Sequence, residues 1–174
     1  MRFTSRKIFF LILGGILCLQ HCGYHLRGTG TFLPPHIKKI SIPMFKNETT
    51  RYQLDLKLTQ GVIDEFVSRG KVEISPDPQK ADAILTGDII AFTVNPIAFS
   101  GQATADRYNI TVVAKVILRD LVKQKVIFSN PSFVYVGEYQ VPEGSDFESV
   151  ETTAISEISE KFARSLVITM LEGF

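Results

Sequence analysis

The sequence has few of the residues that usually build catalytic or metal centres. Its 174 residues include two cysteines, three histidines and no tryptophan. Its formal net charge is +1, too small to create an overall field that attracts nucleic acid, so no nucleic-acid partner is expected. Neither common type of glycine-rich phosphate loop is present. Apolar residues nevertheless make up 45% of the chain, which is typical of a globular domain with a hydrophobic core.

The N-terminus has the composition of a targeting segment. Arg2, Arg6 and Lys7 precede a nearly unbroken apolar run of 12 residues, 8–19. A membrane-spanning helix needs about 20 apolar residues, whereas the apolar core of a signal peptide has about 7–15. We therefore predict that residues 1–21 are a signal peptide.

Removal of this signal peptide leaves a chain of simple organisation. Residues 22–36 are rich in glycine and proline and are predicted to form a flexible tether. Residues 37–174 are long enough for one domain, and we predict a single α/β domain there. The signal peptide takes three of the 19 Lys and Arg residues and none of the 18 Asp and Glu, so the remaining net charge is −2.

Cys22 is the only cysteine that remains after residue 21, and it follows the apolar run directly. A lone thiol in an exported protein requires an explanation, since it cannot form an internal disulfide. Lipidation explains it: a diacylated Cys22 would anchor the chain stably to a membrane, as in bacterial lipoproteins. Leu19 suits the lipoprotein cleavage motif, whereas Gln20 and His21 replace its usual small residues. The alternative is an ordinary signal peptide, or an uncleaved anchor, with an incidental cysteine.

Two segments have the apolar spacing of amphipathic helices. Leu54, Leu58, Val62 and Phe66 recur every four residues, with Ile63 and Val67 beside them. A second stripe with the same spacing consists of Ala154, Ile158, Phe162, Leu166 and Met170, flanked by Ile155 and Val167. The segments 50–53 and 145–148 each fit a capping box at a helix start, and Gly173 is the expected end of the second helix.

The rest of the domain has the patterns of β-strands. Five segments are predicted strands: residues 37–43, 71–75, 83–94, 108–118 and 125–139. Residues 95–106 are predicted to be a loop, and Pro131 favours an edge strand or a bulge. The predicted fold is an α/β (α+β) two-layer sandwich, in which two helices pack on one face of a mixed sheet of about four to five strands.

No set of residues in the sequence suggests catalysis. The histidines beyond the signal peptide, His25 and His36, both lie in the predicted tether. With Cys22 acylated, no histidine and cysteine cluster remains for metal binding or nucleophilic chemistry. We therefore expect neither a metal nor a cofactor, and we expect that the protein is not an enzyme.

Charge is distributed unevenly along the domain. Residues 107–125 contain one acidic residue, Asp120, and five basic ones: Arg107, Lys115, Arg119, Lys123 and Lys125. Residues 138–160 contain seven acidic residues and no Lys or Arg. One interpretation is two solvated faces with some mutual pairing. The other is a basic hairpin that meets an anionic ligand, because Arg107, Lys115 and Arg119 alternate with the apolar residues of one strand.

Several segments, in order, resemble the LptE-like family of lipopolysaccharide-assembly lipoproteins. They are CGYHLRG (22–28), IKKISIPMFKNETTRYQLDLKLTQGVIDEF (37–66), ADAILTGDI (81–89), the long strand ending near Asp120, and LEGF (171–174). The resemblance implies a two-layer α/β fold and residence at the periplasmic face of the outer membrane. It also implies that the protein plugs a β-barrel partner similar to LptD, helps that barrel fold and assists lipopolysaccharide delivery. Family residues that contact lipopolysaccharide have no matching positions here, so none is transferred.

Two other classes of function remain open. The segments IPMFKNETT and ADAILTG are also similar to other envelope lipoproteins, which favours an interaction module for a peptidoglycan synthase or a secretion pore. A periplasmic hydrolase is the third class, and the lack of a recognisable site disfavours it. For the basic hairpin, we expect contact with lipopolysaccharide or with acidic residues of the barrel wall.

Overall fold

The computed structural model describes residues 33–99 and 105–172. These residues form six strands, two long helices and a short 3₁₀ helix at Pro78–Lys80. In chain order the elements are β1 (Lys39–Ser41), β2 (Lys46–Asn47), α1 (Leu54–Arg69), β3 (Glu73–Ile74), β4 (Ala83–Phe99), β5 (Ala105–Asp120), β6 (Lys125–Gln140) and α2 (Phe147–Glu172).

All six strands belong to one mixed sheet. Its order is β3-β1-β4-β5-β6, and β2 pairs with β4 outside this path. β1 pairs in parallel with both β3 and β4, and β2 pairs in parallel with β4. β4, β5 and β6 form an antiparallel meander. Both helices contribute to the same hydrophobic core on one side of the sheet. The predicted two-layer fold is confirmed, with the two-residue strand β2 as an addition.

The alternation of β5 places one of its faces in the core. Ile110, Val112, Ala114, Val116 and Leu118 are completely buried, and the residues between them are partly or fully exposed. This period of two is the pattern of a strand with one face against helices and the other open. The predicted apolar face of the long strand is therefore confirmed.

The two helices bury the predicted stripes with one exception. α2 buries every residue of its predicted stripe together with both flanking residues. α1 buries its four predicted positions, but Val67 is 59% exposed. Thr59 is buried on α1 instead, because its hydroxyl accepts a hydrogen bond from the amide of Phe45 at 2.9 Å. The prediction that Val67 adjoins the apolar face was therefore wrong.

Neither predicted capping box is formed as expected. α1 begins at Leu54 after Gln53, whose φ of 56° is left-handed and whose side chain does not cap the helix. Thr49 and Asn47 hydrogen-bond to each other and to Arg51 just before the helix, so local polar turns replace the expected cap. At α2 the cap lies one residue later than predicted.

Asp146 caps α2, which begins at Phe147. The Asp146 Oδ1 atom accepts a hydrogen bond from the amide of Ser149 at 2.8 Å. This bond holds the pKa of Asp146 below its ordinary value, and a carboxylate there also suits the positive end of the helix dipole. Gly173, the predicted helix end, lies outside the described residues.

Strands β4 and β5 run beyond the predicted limits. The loop predicted over residues 95–106 was wrong, because β4 continues to Phe99 and β5 begins at Ala105, with Asn95 opposite Asn109. The prediction for Pro131 is confirmed on both counts. β6 is an edge strand of the sheet, and its register with β5 shifts at this residue.

Phe162 tests the assignment of the core. Its ring is completely buried and packs edge-to-face on Phe133, with the ring centroids 5.4 Å apart. Truncation of a buried phenylalanine typically costs about 3–5 kcal/mol, so Phe162→Ala should lower the free energy of unfolding by about that amount. Lys161→Ala should change it by less than about 0.5 kcal/mol, because Lys161 is exposed and forms only a surface ion pair with Glu157. Urea unfolding of both variants measures the difference, and equal effects would show that the helix face is misassigned.

Candidate functional site

The five basic residues of the predicted hairpin are all exposed, but they do not form one cluster. Arg107 lies opposite Gln140 near one end of the β5–β6 ladder, and Arg119 lies near the other end. Eleven residues of extended strand separate them, and the twelve steps correspond to about 40 Å. One small anionic ligand therefore cannot contact both.

Lys115 has a partner on the neighbouring strand. Its ammonium lies 3.5 Å from a carboxylate oxygen of Asp88, directly opposite in the β4–β5 register. Both side chains lie on the sheet face that points away from the helices. This is a cross-strand ion pair, so Asp88 partly neutralises the charge of Lys115 within the sheet.

The remaining three basic residues gather where β5 turns into β6. Arg119 is the penultimate residue of β5, and Lys123 and Lys125 follow in the turn and at the start of β6. All three are exposed, and within residues 33–99 and 105–172 none has a carboxylate within ion-pair distance. We call these residues the turn cluster. Val122, at the tip of the same turn, is 62% exposed.

Asp120 organises this turn from inside the protein. Its side chain is completely buried, although aspartate is rarely buried without partners. Oδ1 accepts hydrogen bonds from the amides of Val122 at 2.9 Å and Lys123 at 2.8 Å. Oδ2 accepts a hydrogen bond from His36 Nε2 at 2.7 Å. The carboxylate thus fixes the turn and joins it to the segment that precedes β1.

The partners of Asp120 also decide its ionisation. Burial alone opposes the charged form, but the Lys123 amide, the His36 ring and the Val122 amide all favour it. Together they outweigh burial and hold the pKa of Asp120 below its ordinary value. The carboxylate is therefore charged at neutral pH, and its hydrogen bonds are charge-assisted.

A second aspartate ties the same end of the sheet together. Asp82 Oδ2 accepts hydrogen bonds from the amides of Lys38 at 2.8 Å and Lys39 at 2.9 Å, and these bonds lower the Asp82 pKa. The carbonyl of Asp82 accepts a hydrogen bond from the amide of Leu121 at 2.8 Å. The start of β1, the start of β4 and the β5–β6 turn are thus connected by hydrogen bonds.

The last residues of the predicted tether pack on the domain. Leu33 is buried in the hydrophobic core, and His36 holds Asp120 as described. No pattern in the sequence connects His36 with Asp120, which lies 84 positions away. The alternation of β5 did contain a signal for the burial of Asp120, because Asp120 lies at an even-numbered position, like the buried residues of this strand. Cys22 lies outside the described residues.

The described part of the chain offers little for a cofactor. Within it, no group of three or more His, Cys, Asp or Glu side chains is placed to hold a metal ion. A shallow cavity of about 160 Å³ lies where α1 and α2 begin; it is lined by Tyr52, Gln53, Lys57, Glu151, Thr152 and Ile155. Neither described helix has the length and apolarity needed to cross a membrane.

The amino-acid sequence of the domain matches a known family. The LptE lipopolysaccharide-assembly family matches residues 37–170. The chain belongs to the LptE family. This match covers α1, α2 except its last two residues, the six described strands and the turn cluster, and it confirms the resemblance found in the sequence.

Solved structures with a similar fold come from several bacteria. A hypothetical protein from Chlamydia trachomatis is 12% identical with a TM-score of 0.53, and the match covers 79% of this chain and 97% of that one. A protein from Xanthomonas campestris is 15% identical with a TM-score of 0.53, covering 80% of this chain and 90% of that one. The rare lipoprotein B from Shewanella oneidensis is 11% identical with a TM-score of 0.46, covering 76% and 93%. The first two similarities show the fold alone, and no curated protein matches the chain by sequence.

Removal of the Asp120 carboxylate should release the turn. Asp120→Ala leaves the amides of Val122 and Lys123 without their acceptor, so their hydrogen exchange should accelerate and the unfolding midpoint should fall. Because the folded pKa of Asp120 is lowered, its charge stabilises the fold above the ordinary carboxyl pKa. That stabilisation is lost as pH falls through the folded value, so the native chain should lose its advantage over Asp120→Asn below about pH 4. Glu160→Ala, at an exposed position on α2, is the control. Unchanged exchange at the two amides would contradict the role of Asp120.

Proposed function

We propose that this protein is an outer-membrane lipoprotein that plugs a β-barrel similar to LptD, helps that barrel assemble and assists lipopolysaccharide delivery. The observation that carries the proposal is membership of the LptE family over residues 37–170. The protein acts by binding and not by catalysis. Its partners are the barrel and lipopolysaccharide, and its location is the periplasmic face of the outer membrane.

The uncovered face of the sheet supports a role inside a larger partner. The two helices cover one face only, and the opposite face exposes large apolar side chains: Ile90 at 44%, Val126 at 45%, Val134 at 53% and Val136 at 52%. Threonines and the Asp88–Lys115 pair lie among them. A mixed apolar and polar face of this kind suits a surrounding wall that is partly polar, as the inside of a barrel is.

Lipidation of Cys22 would supply the attachment to the membrane. Its position directly after the predicted signal peptide and its status as the last cysteine in the chain support this. Acylation with two or more chains anchors a protein stably, whereas one chain gives only marginal binding. The anchor leaves the folded domain on the periplasmic side, where the barrel is assembled.

The basic residues of β5 and the following turn are the proposed contacts with lipopolysaccharide. Lipopolysaccharide carries phosphates and carboxylates close to its lipid, and arginine can bind phosphate through two hydrogen bonds. The turn cluster is the strongest part of this set, because its charges are exposed and unpaired among the described residues. Lys115 and Arg107 would contribute from the open sheet face and from the far end of β5. The alternative partner for these charges is an acidic stretch of the barrel wall.

Co-purification tests the proposed partner. The native protein, extracted from membranes with mild detergent, should bring with it a large outer-membrane β-barrel in a stoichiometric amount. The expected contact is the open sheet face, so Val134→Asp with Val136→Asp should reduce recovery of the barrel at least about tenfold, because charges would replace buried apolar contacts. The exposed pair Ser68→Asp with Gln60→Asp on α1 is the matched control. Recovery of a peptidoglycan synthase or a secretion ring instead would establish the alternative function.

Charge reversal separates the two possible partners of the turn cluster. The change is Arg119→Glu, Lys123→Glu and Lys125→Glu together, compared with the native protein by circular dichroism to verify the fold. Lipopolysaccharide binding should fall at least about tenfold, since several charge-assisted contacts become repulsive, while barrel association is kept. Unchanged lipopolysaccharide binding would remove the ligand role, and loss of the barrel would assign the cluster to docking.

A further inference from the structure

Free positive charge collects at one end of the domain. Strands β1, β3, β4 and β6 begin at this end and β5 ends there, so we call it the tether end. Its exposed basic residues without an ion pair among the described residues are Lys38, Lys71, Arg119, Lys123 and Lys125. The sheet register spreads them across five strands, a width of about 19 Å.

Most acidic groups at the tether end are already engaged, and the exposed Glu172 at the end of α2 is the exception. Glu73 pairs with Lys39 at 3.5 Å, and Asp77 pairs with Lys80 at 3.6 Å. Asp82 accepts backbone amides, and Asp120 is buried with its partners. The five unpaired basic residues therefore dominate the field at this surface.

The opposite end of the domain is acidic. The loop before α2 and the first turn of that helix expose Glu143, Asp146 and Glu148, and Glu138 lies close by on β6. Phe147, at the start of α2, packs on Tyr108 and Tyr139, which fixes this acidic segment at the far end of the long strands. Arg107 on β5 lies near these acidic residues, but they outnumber it. The domain is therefore an electric dipole along its strands, and an anionic surface would attract the tether end in preference to the opposite end.

An apolar side chain projects from the basic surface at the β5–β6 turn. Val122 is 62% exposed at the tip of the β5–β6 turn, directly before Lys123. Hydrogen bonds from the turn amides to the buried Asp120 hold this tip in place. Basic residues around an exposed apolar residue are the features that bind a protein to the headgroup region of an anionic bilayer. Binding of a soluble anion would not require an exposed apolar side chain at this position.

The chain also enters the domain at this end. Leu33 is buried and His36 contacts Asp120, so the segment that leads to Cys22 starts beside the basic surface. Ten residues separate Cys22 from Leu33, and the eleven steps along the chain span at most about 40 Å. A lipid anchor at Cys22 would therefore keep the tether end, and not the acidic end, close to the bilayer.

We propose that the tether end docks on the anionic phospholipid headgroups of the leaflet that holds the Cys22 anchor. Val122 enters the headgroup region, and the basic residues around it contact lipid phosphates. This docking orients the domain, with its strands pointing away from the membrane and its acidic end outward. The proposal rests on the lipid anchor of the proposed function, and its occupant is the phospholipid surface and not lipopolysaccharide.

The absence of tryptophan makes a direct test possible, because a single introduced tryptophan reports alone. The acylated protein with Val122→Trp is reconstituted into vesicles of phosphatidylcholine, or of phosphatidylcholine with phosphatidylglycerol. In the anionic vesicles the emission should shift to the blue, brominated lipid should quench it, and high salt should reverse both effects. In neutral vesicles the probe should stay in water. Val136→Trp, at a similarly exposed valine away from the tether end, should stay in water in both.

Charge changes identify the surface responsible. Adding Lys38→Glu and Lys71→Glu to the Val122→Trp protein should abolish the blue shift, since each basic residue near an anionic surface contributes about fivefold to binding. These two lysines lie outside the turn cluster, so the result is independent of lipopolysaccharide contact there. The matched control is Lys46→Glu with Lys161→Glu, which makes the same charge change away from the tether end. Retained shielding in the first variant would overturn the proposal.

Two further measurements separate this proposal from the proposed function. Intact mass shows whether Cys22 is acylated, so a failed anchor is visible by itself. An unacylated Cys22→Ser protein should still sediment weakly with phosphatidylglycerol vesicles in a salt-sensitive way, and no sedimentation would overturn the docking surface. Shielding of the Val122→Trp probe by vesicles that contain lipopolysaccharide, but not by those with phosphatidylglycerol, would also overturn it.

Discussion

The buried carboxylate of Asp120 is the interaction on which one whole end of the domain depends. A charged group inside a protein is tolerated only when hydrogen bonds replace its lost hydration. Here two turn amides and the His36 ring supply them. The same three bonds fix the β5–β6 turn, the direction in which Lys123 leaves it, and the point where the preceding chain meets the sheet. One side chain therefore couples the core to the exposed basic surface.

The separation of charge along the domain follows from its topology. Both helices run in the same general direction, since Arg51 before α1 pairs with Glu151 on α2, and Gly61 on α1 approaches Ser159 on α2. Acidic residues near the start of α2 suit its positive dipole end, and Lys71 follows the end of α1, where positive charge is favourable. Most of the charge pattern thus agrees with the helix dipoles and stabilises the fold, whereas Glu172 in the last turn of α2 opposes the dipole of that helix.

Elements with a long repeat were predictable from the sequence, whereas sites made by distant residues were not. The alternation of β5 and the four-residue stripe of α2 each repeat five times, and tertiary packing only reinforced them. The two predicted capping boxes did not form, because several polar residues compete for the same backbone amides. The geometry of the turn determines which of these residues accepts the hydrogen bonds. The strand extension at Asn95 depended on its partner Asn109, which local sequence cannot reveal. The pair of His36 and Asp120 needed the fold itself.

The two helices cover one face of the sheet, and the other face has exposed side chains. Helices bury the inner face, but the outer face has valines that are about half exposed. Within residues 33–99 and 105–172, no strand pairs with the outer edge of β6, which is 16 residues long. Such edges usually promote aggregation, and the bulge at Pro131 interrupts this one in the middle, so regular pairing with another strand is restricted. The edge of β6 is thus protected against pairing, while the outer face of the sheet is exposed. This combination is expected where a partner covers the outer face by side-chain contact. A wall that surrounds the domain meets this requirement better than a partner that adds a strand.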